Sequence, residues 1–183
     1  MSQSDFSKFL VEAAKKRLKF LLIKDLKKKK DFLSILEKLE TPYYCGVLVD
    51  FSTLLRFGDY ISSFLSDCYR LNLKSIAIMP LFPHFMDEKT FYLIYNLGFD
   101  AVVIPPIKRL FAIEKLGIGV ICFCYIKGES YLNRSFLRKI SNVTCDGLFS
   151  IEADKERIEE LKRKFKKILI NIGKEIADIE VES

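Results

Sequence analysis

Apolar residues recur along this chain in two alternating rhythms. Phe6, Phe9, Leu10, Ala13 and Ala14 follow the i, i+3, i+4, i+7, i+8 spacing of one helical face. Phe20–Ile23 is then a short apolar run, read either as a strand or as the end of that helix. Asp31–Leu39 returns to the helical period and stops at the Thr41-Pro42 turn. Gly46–Phe51 (GVLVDF) is an unbroken run of strand length, and Phe57, Ile61, Phe64, Leu65 and Cys68 restore helical spacing. Ser75–Met79 (SIAIM) predicts a strand and Asp87–Leu97 a helix stopped by Gly98.

The second half repeats this order. Ala101–Ile104 predicts a strand, Ile107–Leu116 a helix, Gly119–Ile126 a strand, Asn133–Ile140 a helix and Asp146–Ile151 a strand. Asp154 caps a Glu- then Lys-rich helix. Its end is ambiguous: Ile158, Leu161, Phe165, Ile168, Ile172 and Ile176 hold a helical period, yet Ile168–Ile172 (ILINI) followed by Gly173 reads as a buried strand, the assignment preferred here.

Runs without polar alternation mean strands covered on both faces, hence a parallel sheet with helices outside. Strand starts 17 to 29 residues apart suit βαβ crossovers. The expectation is α/β with a mostly parallel sheet, a reduced (βα) TIM-like barrel being favoured over an open doubly wound sheet. No Pro/Gly/Ser-rich linker divides the 183 residues, so one α/β domain spanning 1–183 is expected, with 1–40 as a basic helical N-terminal segment.

Composition narrows the class. Half of the residues are hydrophobic and 30% charged, which excludes a disordered chain. No window approaches the ~20 uncharged apolar residues that cross a bilayer, so no membrane partner is expected. Charges interrupt the opening stretch before a signal-peptide core could form. Cytoplasmic residence is therefore expected. Five cysteines (Cys45, Cys68, Cys122, Cys124, Cys145) stand mostly in apolar runs and read as free, buried thiols. Cys122 and Cys124 are too close in sequence for a zinc pair and no second pair follows, so no metal is expected.

The formal charge of +6 is concentrated. Residues 1–40 carry 11 Lys/Arg against 6 Asp/Glu, and 154–167 carry 7 against 4. Lys27–Lys30 could meet an anion, yet no aromatic-interleaved RNA motif or finger spacing accompanies it, which counts against nucleic acid. A solvated face is the plainer reading, and Glu/Lys-rich helices are also a surface feature of thermophilic proteins.

In either architecture the functional edge is the carboxyl end of the strands. Those ends supply Asp50, Pro80 through His84, Pro105-Pro106 with Lys108, Tyr125 and Lys127, Glu152 and Asp154, and Gly173-Lys174-Glu175. His84 is the lone histidine, able to move protons near neutral pH; the plainer reading packs it between Phe82 and Phe85. His84 and Glu152 are the catalytic candidates, and Lys108, Tyr125 and Lys174 the ligand-binding ones. Neither a Walker A sequence nor G-x-G-x-x-G is present, so no nucleotide cofactor is expected; Gly173-Lys174 is the candidate for a lone phosphate.

Asp87-Glu88, Tyr92 and Leu97-Gly98-Phe99-Asp100-Ala101 followed by an apolar strand, with the later LGIGVICF, resemble indole-3-glycerol phosphate synthase and related (βα)-barrel enzymes of tryptophan biosynthesis. The similarity covers about a third of the chain. It implies a barrel fold and a phosphorylated substrate. The family's catalytic groups do not follow: its general-acid lysine falls, read without gaps, on Phe82, and its fifth-strand glutamate on Phe123. The Ser-Pro-Ser phosphate loop is absent, while Lys24 stands where a first-strand lysine would.

Two functions follow as expectations. One is a divergent barrel binding a small anionic or phosphorylated metabolite at the strand ends, without the synthase activity. The other is a non-catalytic module whose basic helices meet an acidic protein or nucleic acid, or self-associate as a homo-oligomer. His84, Lys108, Tyr125 and Glu152 should converge on one rim unless Phe82, Phe85 and Phe123 fill it.

Overall fold

The computed structural model describes residues 4–81, 88–107 and 116–183. Eight strands form one all-parallel sheet: β1 Lys19–Ile23, β2 Tyr44–Asp50, β3 Lys74–Ile78, β4 Ala101–Ile104, β5 Gly119–Ile126, β6 Gly147–Ile151, β7 Leu169–Ile172 and β8 Glu180–Glu182. Their order is β7-β6-β5-β4-β3-β2-β1-β8. A parallel bridge between Ile170 and Ile179 brings β7 to the entry of β8, so the sheet curls into a nearly closed barrel. The open-sheet alternative is thereby excluded.

Six helices lie among the described residues: α1 Asp5–Lys15, α2 Asp31–Leu39, α3 Phe51–Arg70, α4 Glu88–Leu97, α5 Ser130–Ile140 and α6 Lys155–Phe165. None is long and apolar enough to cross a membrane. The span between β7 and β8 carries no helix, one source of the barrel's small size. Phe20–Ile23 and Leu169–Ile172 are both strands, and Asp50, accepting from the Thr53 N–H at 3.0 Å, starts α3 directly at the end of β2. Helix α5 begins at Ser130, three residues before the periodicity indicated. The expected helix over Ile107–Leu116 falls almost entirely outside the described residues.

Helix α1 lies at the amino ends of the strands. Ser4 Oγ caps it by accepting from the Ser7 N–H at 3.1 Å and also bonds Asp146, just ahead of β6. Phe6 presses on Gly119 and Leu10 on Gly147: a Cβ on Gly119 would stand 2.5 Å from the Phe6 ring, and one on Gly147 2.9 Å from Leu10. Phe9 meets Phe20 at the foot of β1. Glycine at the first position of β5 and of β6 thus makes room for the helix.

A polar device recurs at the strand feet. Asp100, Asp146 and Asp178, each ahead of an even-numbered strand, accept the Ser75, Val120 and Leu169 N–H groups of the preceding strand at 2.9, 2.8 and 2.8 Å. Each returns its own N–H to a carbonyl of that strand. The register is broken on β5, where Cys124 is an extra residue between the pairs Phe123–Phe149 and Tyr125–Ser150. Such a bulge turns the strand's last residues relative to those before it. It modifies the plain alternation that would align Cys122 with Cys124.

Candidate functional site

Three adjacent strands deliver their exits to one pocket. Tyr125 and Lys127 leave β5, Glu152, Ala153 and Asp154 leave β6, and Lys174 and Glu175 leave β7, enclosing about 210 Å³. Tyr125, Glu152 and Lys174, three of the five residues singled out from the sequence, share it. They do so because a parallel barrel brings all strand exits to one end.

The pocket's walls are fixed by Asn171, buried on β7. Its Oδ1 accepts from Ser150 Oγ at 2.7 Å and from the Ala153 N–H at 3.1 Å; its Nδ2 donates to the carbonyls of Ala153 at 3.3 Å and Glu175 at 2.7 Å. Three of these bonds reach Ala153 and Glu175 in the two loops that line the pocket, and the fourth ties Asn171 to Ser150 on β6. Glu152 adopts a left-handed backbone at φ 53° and donates its N–H to the Ile172 carbonyl at 2.7 Å. Such a conformation is uncommon away from glycine, and it is held here by the loop's bonds. Gly173 permits the arrangement, since a Cβ there would lie 3.1 Å from Glu152 Cα and 3.2 Å from its carboxylate.

Lys127 and Lys174 supply two exposed ammonium groups, and Glu152, Asp154 and Glu175 three carboxylates. Asp154 is partly spent, accepting the Arg157 N–H at 2.8 Å as the cap of α6. The Arg157 guanidinium stacks 5.0 Å from the Tyr125 ring centroid. Across the same end of the barrel, the exposed run Lys27–Lys30 follows β1, its turn held by Asp31 Oδ2 accepting the N–H groups of Lys27 and Lys28. This adds positive potential to the carboxyl rim. Lys24 is exposed beside it.

His84 and Lys108, with Phe82 and Phe85, lie outside the described residues. Phe123 does not fill the rim pocket. It is buried on β5, edge-on to Phe149 at 5.3 Å and stacked on Phe136. Asn171 was missed in the sequence reading; its signal was one amide interrupting an otherwise apolar run. Larger hollows of about 590 and 660 Å³ flank α1 at the amino end. Their carboxylates are engaged, Asp146 by Ser4 and Val120, Asp178 by Leu169 and by Lys162 at 2.7 Å, and Asp5 by Lys8 at 3.7 Å.

All five cysteines are free and buried. Burial pushes the Cys45 and Cys68 thiols up to about 12. Cys145 is the exception: a hydrogen bond from Cys122, helped by the nearby Lys167 ammonium, holds it below the usual thiol range. Among the described residues no cluster of His, Cys, Asp and Glu is arranged to hold a metal ion.

No protein-family model matches this chain, and no curated protein matches it. Among solved structures, one from Aquifex aeolicus VF5, "Structural study of Project ID from Aquifex aeolicus VF5", is similar with a TM-score of 0.65 at 12% identity. The alignment covers 98% of this chain and 88% of that one. Identity at this level speaks for the fold alone, a TIM-like (βα) barrel.

Proposed function

We propose that this barrel binds a small anionic metabolite at the carboxyl ends of β5, β6 and β7, without indole-glycerol-phosphate synthase activity. The carrying observation is the convergence of Tyr125, Lys127, Glu152 and Lys174 on one pocket whose walls Asn171 fixes. Lys127 and Lys174 are counter-charges for a phosphate or carboxylate. Glu152, Asp154 and Glu175 favour a ligand that also presents hydroxyl or amino donors, since carboxylates only accept. Any proton transfer falls to Glu152, with His84 as its candidate partner from the β3–α4 connection.

Titration calorimetry with glycerol 3-phosphate, which carries a phosphate for the lysines and hydroxyl donors for the carboxylates, tests this reading. One site per chain is expected, weakened at least tenfold in Lys174→Ala and in Glu152→Gln. No binding, or binding indifferent to both substitutions, overturns it.

A second reading rests on α4. Tyr92, Leu93 and Tyr95 stand about half exposed on one outer helix, and aromatic residues are enriched where proteins meet. This supports a module that self-associates or binds a protein partner. Sedimentation of wild type against Leu93→Lys separates the two: a wild-type dimer lost in the variant favours the module, and a concentration-independent monomer removes self-association.

A further inference from the structure

We infer that the cleft between α5 and α6 is a second ligand site, which shares Tyr125 with the strand-exit pocket but is otherwise lined separately, and that it is built for a carboxylate or phosphate carried on a small apolar body. The cleft encloses about 320 Å³, within the size range of small-molecule pockets. Its apolar wall is Cys124, Leu137 and Leu161. Its cations are Arg134 and Arg157, with the Ser130 hydroxyl beside them. No carboxylate lines it.

The two guanidiniums are held differently. Arg157 is oriented by the Tyr125 ring and by Glu160, whose Oε2 lies 2.9 Å from Nη1. Its remaining guanidinium donors have no partner among the described residues, and a guanidinium so held loses little freedom on binding. Arg134 is exposed and makes no ion pair or hydrogen bond with the described residues. Asn133 is wall rather than ligand, because its amide both accepts from and donates to Ile126 at 2.8 Å. Guanidinium groups match the two-oxygen edge of a carboxylate or phosphate, which an ammonium cannot do. Cys124, the extra residue of the β5 bulge, lines this cleft on its strand side.

An apolar wall under a cationic rim selects for both parts of the ligand together. Phenyl phosphate and benzoate are the probes, with inorganic phosphate and benzyl alcohol supplying each half alone. One phenyl phosphate or benzoate per chain is expected, each half alone binding at least tenfold more weakly. Arg134→Ala removes an exposed helix-surface side chain without a partner among the described residues, so the fold should persist while probe affinity falls at least tenfold. Arg134→Lys should recover only part of it. Lys174→Ala, in the strand-exit pocket, should leave phenyl phosphate binding unchanged. Binding that survives Arg134→Ala, or that Lys174→Ala abolishes instead, overturns the inference, whereas the strand-exit reading is judged separately with glycerol 3-phosphate.

Discussion

The Asp178 carboxylate accepts the Leu169 N–H at 2.8 Å through one oxygen and meets Lys162 Nζ at 2.7 Å through the other. One side chain thus joins the foot of β7, the entry of β8 and the end of α6. Removing it leaves the buried Leu169 N–H without its acceptor while the exposed Lys162 ammonium turns to solvent, and an unsatisfied buried donor costs ~1–3 kcal/mol. Asp178→Ala should lower the unfolding free energy by about that amount in urea titration. Asp178→Asn, which can still accept from Leu169, should recover part of the loss; equal losses would refute the clasp.

Glu182 on β8 joins Tyr44 and Lys38, with Lys38 Nζ 2.9 Å away and Lys19 at 3.6 Å. The Tyr44 hydroxyl and then the Lys38 ammonium hold its carboxyl down at about 2. A lowered carboxyl stabilises the folded state above its unfolded value near 4.5 and loses that contribution as pH falls toward 2. With the Glu182 side chain 31% exposed, solvent screening limits the effect to about 1 kcal/mol. Glu182→Gln should therefore be less stable at pH 7, and the two proteins should converge near pH 2. Parallel curves across that window would count against the pairing.

Gly119 has no space for a side chain beneath α1. Overpacking of this kind typically costs ~1–3 kcal/mol. Gly119→Ala should be destabilised in thermal melts, and Phe6→Leu in the same chain should return part of the loss. No rescue would mean that the helix is seated elsewhere.

Cys145 should be the first thiol to react in the native protein. It lines both amino-end hollows and is the acidic member of its pair. Cys45, Cys68 and Cys124, held protonated by burial, should appear only after denaturation. Their raised values also favour the folded state below the unfolded thiol value near 9. That contribution is lost as pH climbs toward 12, by up to ~1.4 kcal/mol per unit for each group. Native mass-spectrometric labelling that finds Cys45 as fast as Cys145 would contradict this.

Conversion of the indole-glycerol-phosphate precursor should be absent. Ring closure with decarboxylation needs a proton donor and a base around the intermediate. The fifth-strand position offers the buried Phe123, and the residue aligned with the lysine is Phe82. Product exceeding one equivalent per chain would overturn the expectation.

Strands β2 to β6 were legible because covered parallel strands leave unbroken apolar runs, whereas ILINI, which also fits a helical period, was ambiguous in sequence and becomes a strand through its pairing with β6. The shared end of Tyr125, Glu152 and Lys174 was legible too, since a parallel sheet gives every strand one direction. Strand β8 was not: Glu180-Val181-Glu182 is short and charged, and it becomes a strand only through pairing with β1. Asp100 stood out as a strand entry, but its equivalence to Asp146 and Asp178 needed the register of neighbouring strands. The partners of Asn171 and the Arg134–Arg157 cleft were decided by tertiary structure alone. Hydrophobic periodicity records which face of an element is covered, whereas a buried amide's partners and the gap between two helices depend on how separate elements pack.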